Sequence, residues 1–475
     1  MDAPETGLPP QPQPVSPVSV APEPKRGGAK KIILIVVTLL ILAGLGFFVY
    51  KFVLPRLVTQ KEVELTWWGI WEEESVVAPL IEEYQAQNPK VKIKYVKESP
   101  QDYRERLTNA IARGEGPDIF RIHNSWVPMF KNELDNLPAS VMSAAEFSQT
   151  FYPVAATDLT SGTGLLGIPL EYDGLALYIN EDIFNSSGKS PPVTWDDLRA
   201  LASELTVRND QGNITQAGVA LGTTANVDHW PEILALMLLQ NKVNLIKPNE
   251  CFNKPGASGA DAKICLGADA LGYFARFTNT DRAWDATLPP STIAFSSGKV
   301  AMYFGPSWRA FEIKLKNPNL KFKTVPLPQV AKSDPKDPNT AYATYWVEGV
   351  WARGENKEAA WNFLKFLSTK ESLTKLYENA AKIRLFGQPY PRIDMADLLK
   401  DEAVIGSIIQ AAPDAQSWYL QTRTFDGPTG INSQVNKYFE DAVNAVNSGT
   451  SAEKALDTTA KGVSQVLGQY GLVSR

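Results

Sequence analysis

The sequence predicts an α/β protein of two lobes preceded by one membrane-spanning helix. Three observations carry that prediction. Residues Ile32 to Tyr50 form an uncharged apolar run of 19. A strand, helix, strand, helix, strand pattern runs from Val63 to Ile122. About 410 residues lie beyond residue 61, too many for one compact α/β core and comfortable for two.

The chain opens on a tail, residues 1–31, whose first 24 positions hold eight prolines and almost no bulky apolar side chain. Nothing there offsets the entropy of ordering, so the tail is expected to be disordered. Residues 32–54 form the spanning helix, since about 20 apolar residues rising 1.5 Å each cross about 30 Å of hydrocarbon. A cleaved leader would have a core of about 7 to 15 residues and a small-residue exit. Phe47, Phe48, Tyr50 and Phe52 stand there instead. Lys25, Arg26, Lys30 and Lys31 before the run, against Lys51, Arg56 and Lys61 after it, place the N-terminus on the cytoplasmic side. Residues 55–61 are a linker.

Beyond the linker, Val63 to Trp67 alternates as a strand does, and Val76, Val77, Leu80, Ile81 and Tyr84 recur at helical spacing. Val91 to Val96 alternates again. Ser99-Pro100-Gln101-Asp102 predicts a capped helix start, Gly114 its stop, and Pro117 to Ile122 a third strand. This order belongs to a mostly parallel sheet covered by helices. Further on, Thr194-Trp195-Asp196-Asp197 has the form of a capping box, Pro231 to Leu239 predicts a buried helix, and Ala360, Phe363, Leu364 and Leu367 share one helical face.

Composition excludes several functions. Lys plus Arg total 47 against 52 Asp plus Glu, a net charge of −5 that offers no general attraction to a phosphate backbone. Nucleic acid is therefore not an expected partner. Only His123, His229, Cys251 and Cys265 could supply imidazole or thiolate, so a Cys/His zinc cage lacks its parts. Cys251 and Cys265 flank a loop-like stretch and are expected to pair outside the cytoplasm, which stabilises by about 3 kcal/mol in the chain-entropy account. Gly162 to Gly167 fits G-x-G-x-x-G by letter, but the extended Ile168-Pro169-Leu170 follows where pyrophosphate binding needs a helix start. Asn209 to Asn213 lacks the alternating oxygens and distal Glu of a calcium loop and is a plain turn. No metal or cofactor is expected.

Two carboxylate groups draw attention. Glu72, Glu73 and Glu74 open the first helix, where they favour the positive dipole end and could equally bind a polyol or a cation. Glu171 and Asp173, two apart in an extended segment, share a face and could form a glycosidase pair. The twelve tryptophans are the strongest compositional signal. Several stand at strand ends or in polar loops: Trp68, Trp71, Trp126 in His-Asn-Ser-Trp, Trp230 after Asn226-Val227-Asp228-His229, and Trp308 in Gly-Pro-Ser-Trp. Ligands of open α/β sheets bind outside the carboxyl ends of strands, so rings there are placed to stack on a ligand. Aromatic faces match the C–H faces of sugar rings, and a carbohydrate site is the natural expectation.

At these residues the sequence resembles the extracellular solute-binding proteins of the maltose-binding type, family 1, which deliver sugars to ATP-driven importers. The resemblance covers nearly all of residues 62–475. It rests on LTWWGIWEEESVVAPLIEEYQAQNP, RLTNAIARGEGPDIFRIHNSWVP, GLLGIPLEYDGLALYINEDIF, FSSGKVAMYFGPSW and EGVWARGENKEAAWNFLKFLS. It implies the type II periplasmic-binding-protein fold, with hinge strands between lobes that close over ligand. The first lobe would hold residues 62–172 and the return segment 345–385, the second lobe 175–342, with C-terminal helices in 386–475 packing across both. Carried over by position, Trp68, Trp71, Glu73, Asn124, Ser125 and Trp126 would line the first lobe, and Tyr172 and Asp173 the crossing. Asn226, His229, Trp230, Gly305 and Trp308 would line the second lobe, Trp346 the returning hinge, and Trp418 and Arg423 would contribute from the C-terminal part.

The resemblance implies a monomeric, non-catalytic receptor partnered by a carbohydrate and by the permease subunits of an ABC transporter. The departures are the spanning helix where such proteins commonly carry a cleaved leader or a lipoprotein cysteine, and the proline-rich tail. These leave a tethered sensor that signals inward, and a surface glycosidase using Glu171 or Asp173, as alternatives.

Overall fold

The computed structural model describes residues 28–48, 51, 62–162, 164–247, 266–332, 334 and 336–473. The chain divides into two units, Met1–Lys61 and Glu62–Arg475. In the first, Gly28–Phe48 forms a helix of 21 residues over the apolar run. Among the described residues no helix is long and apolar enough to cross a membrane. The spanning helix expected from the sequence is therefore not established by the structure. The proline-rich stretch of residues 1–24 and both cysteines lie outside the described residues.

The second unit contains two five-stranded sheets. In the first, Val63–Gly69 lies parallel to Val91–Lys97, with Val63 opposite Val91 and Gly69 opposite Lys97, and parallel to Ile119–His123. Trp346–Val350 returns antiparallel beside Ile119–His123 and also pairs with Ile168–Pro169. Both central strands are buried along their whole length, as helices on both faces require. Val91–Lys97 is an edge strand with its lysines turned outward, which blunts edge-to-edge pairing. Helix Glu74–Gln87 buries Val76, Val77, Leu80, Ile81 and Tyr84, the side chains at the predicted spacing. The next helix is Tyr103–Ala112 rather than one starting at Ser99. Its N-cap, Asp102, sits in the left-handed region with φ 55° and makes no side-chain cap hydrogen bond, so the Ser-Pro-Gln-Asp signal lies in the preceding turn.

The second sheet has the order Phe322–Val325, Ala176–Asn180, Val300–Gly305, Ile214–Val219, Val207–Arg208. Val300–Gly305 runs parallel to Ile214–Val219 and antiparallel to Ala176–Asn180, placing Gly305 opposite Ala176. The Thr194 capping box forms as expected, with the Thr194 hydroxyl accepting from Asp197 N and the Asp197 carboxylate accepting from Thr194 N. Helix Trp230–Gln240 is buried on nearly every side.

Between the sheets the chain passes through a small crossing layer. Ala341–Tyr342 pairs parallel with Ala415–Gln416, and Gly174 bridges to Ala343. A Cβ on Gly174 would stand 2.7 Å from Tyr342 O, so the close approach of these backbones needs glycine. Helices Ile431–Asn447 and Ala452–Gln469 pack on each other and on Leu266–Asn279. They are tied to the first sheet's loops by Ser125 Oγ donating to Asn432 Oδ1 at 2.9 Å, and to the second by Asn447 Nδ2 donating to Gly222 O at 2.8 Å.

Candidate functional site: a cleft between two sheets

A cleft of about 460 Å³ opens beside the crossing layer. Its walls come from both sheets' strand ends. Trp346 begins its strand opposite His123, the last residue of Ile119–His123, and Trp71 follows Val63–Gly69. Pro306 and Trp308 follow Val300–Gly305 on the other side. Carboxyl ends of strands are where open α/β sheets present loops to ligands.

On the first side Trp71 meets Trp346 edge to face at 5.5 Å and leans on Phe425 at 5.9 Å. Trp346 is backed by the His123 ring at 5.1 Å and by Trp126 at 5.4 Å. His123 has Nδ1 2.8 Å from Ser125 Oγ and Nε2 3.1 Å from Thr344 Oγ1. Burial pushes its pKa down to about 3, so the ring is neutral at physiological pH.

On the second side Trp308 precedes helix Arg309–Lys316, with the Arg309 guanidinium over its ring at 4.5 Å and His229 at its edge at 5.6 Å. Arg309 Nε donates to His229 Nε2 at 2.8 Å, which places the imidazole proton on Nδ1, 3.1 Å from Thr422 Oγ1. Thr422 donates from both N and Oγ1 to Glu232 Oε1, at 2.6 and 2.7 Å. Burial alone would raise the Glu232 pKa, but hydrogen bonds from His229 and Thr422 hold it below the ordinary value. This chain of bonds fixes the C-terminal segment against the second side. Arg423 and Phe425, both on the cleft, hold φ of 58° and 55°, a costly conformation outside glycine that only surrounding packing maintains.

Glu171 and Asp173 form the floor. Asp173 accepts from Gly174 N at 2.7 Å, Ser307 N at 3.1 Å and Ser307 Oγ at 2.8 Å, pinning the Trp308 loop to the crossing. Burial raises its pKa to about 6 against those bonds. Burial raises Glu171 to about 8, reinforced by Glu72 and opposed by Arg121. Below them Arg121 lies between two buried carboxylates, donating to Glu72 Oε2 at 2.5 Å and from Nε to Glu348 Oε1 at 2.8 Å. Trp67 Nε1 donates to Glu348 Oε2 at 3.2 Å, and Gln388 Nε2 to Glu72 Oε1 at 3.0 Å.

Of the residues expected from the sequence, Trp71, Asp173, His229, Trp308 and Trp346 line the cleft, together with Glu171 and Arg423. The others do not. Trp126 is 0% exposed and stacks between Tyr103 and Phe130, a core residue that supports Trp346 from behind. Tyr172 packs on Tyr152 and Tyr345, and Trp230 is buried at its helix start. Asn124 and Ser125 are bound inward to Asp158 and Asn432. Asn226 ties loops together, accepting from Trp284 Nε1 and donating to Asp285 O and Leu288 O. Gly305 faces the Tyr303 ring, Trp68 is half-buried in its strand, Glu73 pairs with Lys97 on the surface, and Trp418 packs on Phe439. The Glu72 to Glu74 run is divided, since Glu72 serves Arg121 and Glu74 opens the helix.

Sequence reasoning missed His123, Glu232, Arg309, Phe311, Thr344, Arg384, Gln388, Thr422 and Phe425 on the cleft. Arg309 and His123 each adjoin or nearly adjoin a tryptophan that was singled out. The segment 384–389 carries no local signal.

A profile of bacterial extracellular solute-binding proteins matches residues 79–384, more than half of the chain. The chain belongs to that family. Its relatives include the maltotriose-binding protein of Pyrococcus abyssi, 22% identical over 307 residues, which span 64% of this chain and 61% of that one. A Brucella abortus protein named only as a candidate binding protein is 24% identical over 336 residues, 67% of this chain and 74% of its own length. Among solved structures, a cyclo/maltodextrin-binding protein complexed with maltotetraose superposes with a TM-score of 0.67 at 18% identity, covering 86% of this chain and 98% of that chain. The sugar-binding protein MalE of Xanthomonas citri gives the same TM-score, 0.67, identity, 18%, and coverage, 86% and 98%. The solute-binding chain thus has the two-lobed α/β periplasmic-binding-protein fold, and the likeness read from the five sequence motifs is to the right family.

Proposed function

We propose that this chain is a membrane-anchored, extracytoplasmic receptor that closes on a mono- or oligosaccharide and delivers it unaltered to an ABC importer. The observation that carries the reading is the cleft itself, where indole rings from the two sheets, Trp71 and Trp346 on one side and Trp308 on the other, share one cavity with polar groups. Apolar walls with a few placed polar groups are the usual form of a small-ligand site, and indole faces suit the C–H faces of sugars. The sugar named for the Pyrococcus relative and the maltotetraose of the solved neighbour favour the same ligand class. In this reading the lobes are residues 62–172 with 345–385, and 175–342, with 386–475 across both, and the crossing layer is the hinge. Closure follows because ligand bridging two walls binds the closed form better than the open one.

Anchoring would come from Ile32 to Tyr50, with the N-terminal tail in the cytoplasm. The full-length protein in detergent should show a thermal shift with one or more members of a panel of neutral and charged saccharides. Ligand at 100 times its Kd stabilises by about 2.7 kcal/mol. A shift with amino acids or peptides and with no saccharide would overturn the reading. Retention in membranes after alkaline washing, lost on deletion of residues 1–56, tests the anchor.

A further inference from the structure

We infer that the cleft selects a saccharide bearing an anionic group, a carboxylate or a phosphate, with Arg384 as its main counter-ion and Arg423 as the second. The inference rests on the carbohydrate reading above and narrows its ligand class.

The argument is one of unmatched charge. Three guanidiniums line the cleft, those of Arg309, Arg384 and Arg423. Arg309 also has a buried Nη2 without an acceptor, but its charge is matched, since Nη1 donates to Glu312 at 2.6 Å and Asp228 lies 3.9 Å from Nη2. Arg121, beneath the floor, is held between Glu72 and Glu348. Arg384 differs. Its Nε donates to Phe386 O at 2.9 Å and its guanidinium lies 5.2 Å from the centre of the Phe311 ring. Its Nη2 is buried with no acceptor among the described residues, and no described carboxylate comes within ion-pair distance of it.

The nearest carboxylates, Glu72 and Glu171, favour its charge through space but make no bond to it. Glu72 already gives Oε2 to Arg121 and Oε1 to Gln388. Glu171 is held largely in its neutral acid form at pH 7 by burial. Arg423 is exposed, carries its charge at the cleft on a strained backbone, and makes no ion pair among the described residues.

A buried guanidinium without a paired anion is costly, and an incoming oxyanion that accepts from Nη2 removes that cost while gaining charge-assisted hydrogen bonds. The planar fork suits a carboxylate or a phosphate edge. Phe311 comes from the helix that follows Trp308, on the second side, whereas Arg384 belongs to the segment after Lys370–Ala381 on the first. The guanidinium thus lies where the two sides of the cleft meet. The indoles remain for the sugar ring. The occupant is a sugar acid or sugar phosphate, not a bare anion.

The experiment is calorimetric titration of the full-length protein in detergent. The probes are glucose and galactose, their uronic acids, their 6-phosphates, and the disaccharides maltose and digalacturonate, with acetate and inorganic phosphate as competitors. The expected result is that an anionic sugar binds at least tenfold tighter than its neutral parent and weakens as salt is raised. Competition by acetate or by phosphate then tells carboxylate from phosphate recognition. The Arg384→Gln variant should remove most of the anionic preference, leaving the part due to Arg423, and Arg384→Lys should restore part of it, with unchanged melting temperatures showing that both fold. Neutral sugars binding as tightly as their anionic counterparts would overturn the inference and leave the carbohydrate reading standing. Binding of acetate or phosphate alone, or of no probe at all, would overturn both.

Discussion

Trp308 offers the sharpest mutational test, because its indole is half-exposed on the cleft while its neighbours are fixed by other bonds. Arg309 covers the ring at 4.5 Å but is held independently by His229 and Glu312. Trp308→Ala therefore removes a ligand face without freeing the groups beside it. A sugar ring laid on one indole face covers on the order of 70 Å², which at about 25 cal/mol per Å² is about 2 kcal/mol. That loss raises the Kd about 30-fold. The lost cation–π contact costs about 1 kcal/mol of stability, leaving the fold intact. Calorimetry with the best saccharide of the panel, on wild type, Trp308→Ala and Trp308→Phe, measures the effect, and the Phe variant should recover part of it. A Kd for Trp308→Ala within twofold of wild type, with melting temperatures within a few degrees, would refute the stacking argument.

Other perturbations have equally definite outcomes. Trp126→Ala should cost about 3–5 kcal/mol in chemical denaturation, because the ring is fully buried and the cavity cannot refill. Arg121→Met should cost about 3–5 kcal/mol by leaving Glu72 and Glu348 unpaired, a loss that Glu72→Gln combined with Glu348→Gln should partly reverse. Glu171 has a folded pKa raised to about 8 from 4.5, so the folded state binds its proton more tightly and stability from this group is present at low pH and falls between pH 4.5 and 8. Glu171→Gln should therefore gain on wild type as pH rises through that window, and an equal difference at pH 5 and pH 9 would contradict it. For His123, lowered to about 3 from 6.5, the folded form resists protonation, so stability is lost as pH falls below 6.5. Thermal melts of His123→Gln should show a shallower decline over that range.

Much of the fold was legible because its signals are local. Alternation marked Val63–Gly69 and Val91–Lys97, and the Thr194 box formed as written. The start of Tyr103–Ala112 was misplaced because Pro at a first helical position also suits a turn. The site was half legible. Trp71 and Trp308 could be picked out as rings at strand ends or in polar loops, and Trp346 only through the family resemblance, but Trp126 and Trp230 carry the same local appearance and are core. What separates them is which way a loop turns after the strand, and that depends on partners hundreds of residues away. Arg384 reaches the cleft through the return of the chain, and Glu232 matters through its bonds to Thr422, 190 residues on. No periodicity records such meetings.

A crystal structure of the protein with the tightest saccharide of the panel would speak most directly to the account as a whole. It should show the sugar enclosed between Trp71 and Trp346 on one side and Trp308 on the other, its chemistry unchanged. A sugar seated elsewhere on the surface, with the three indoles free of it, would contradict the account.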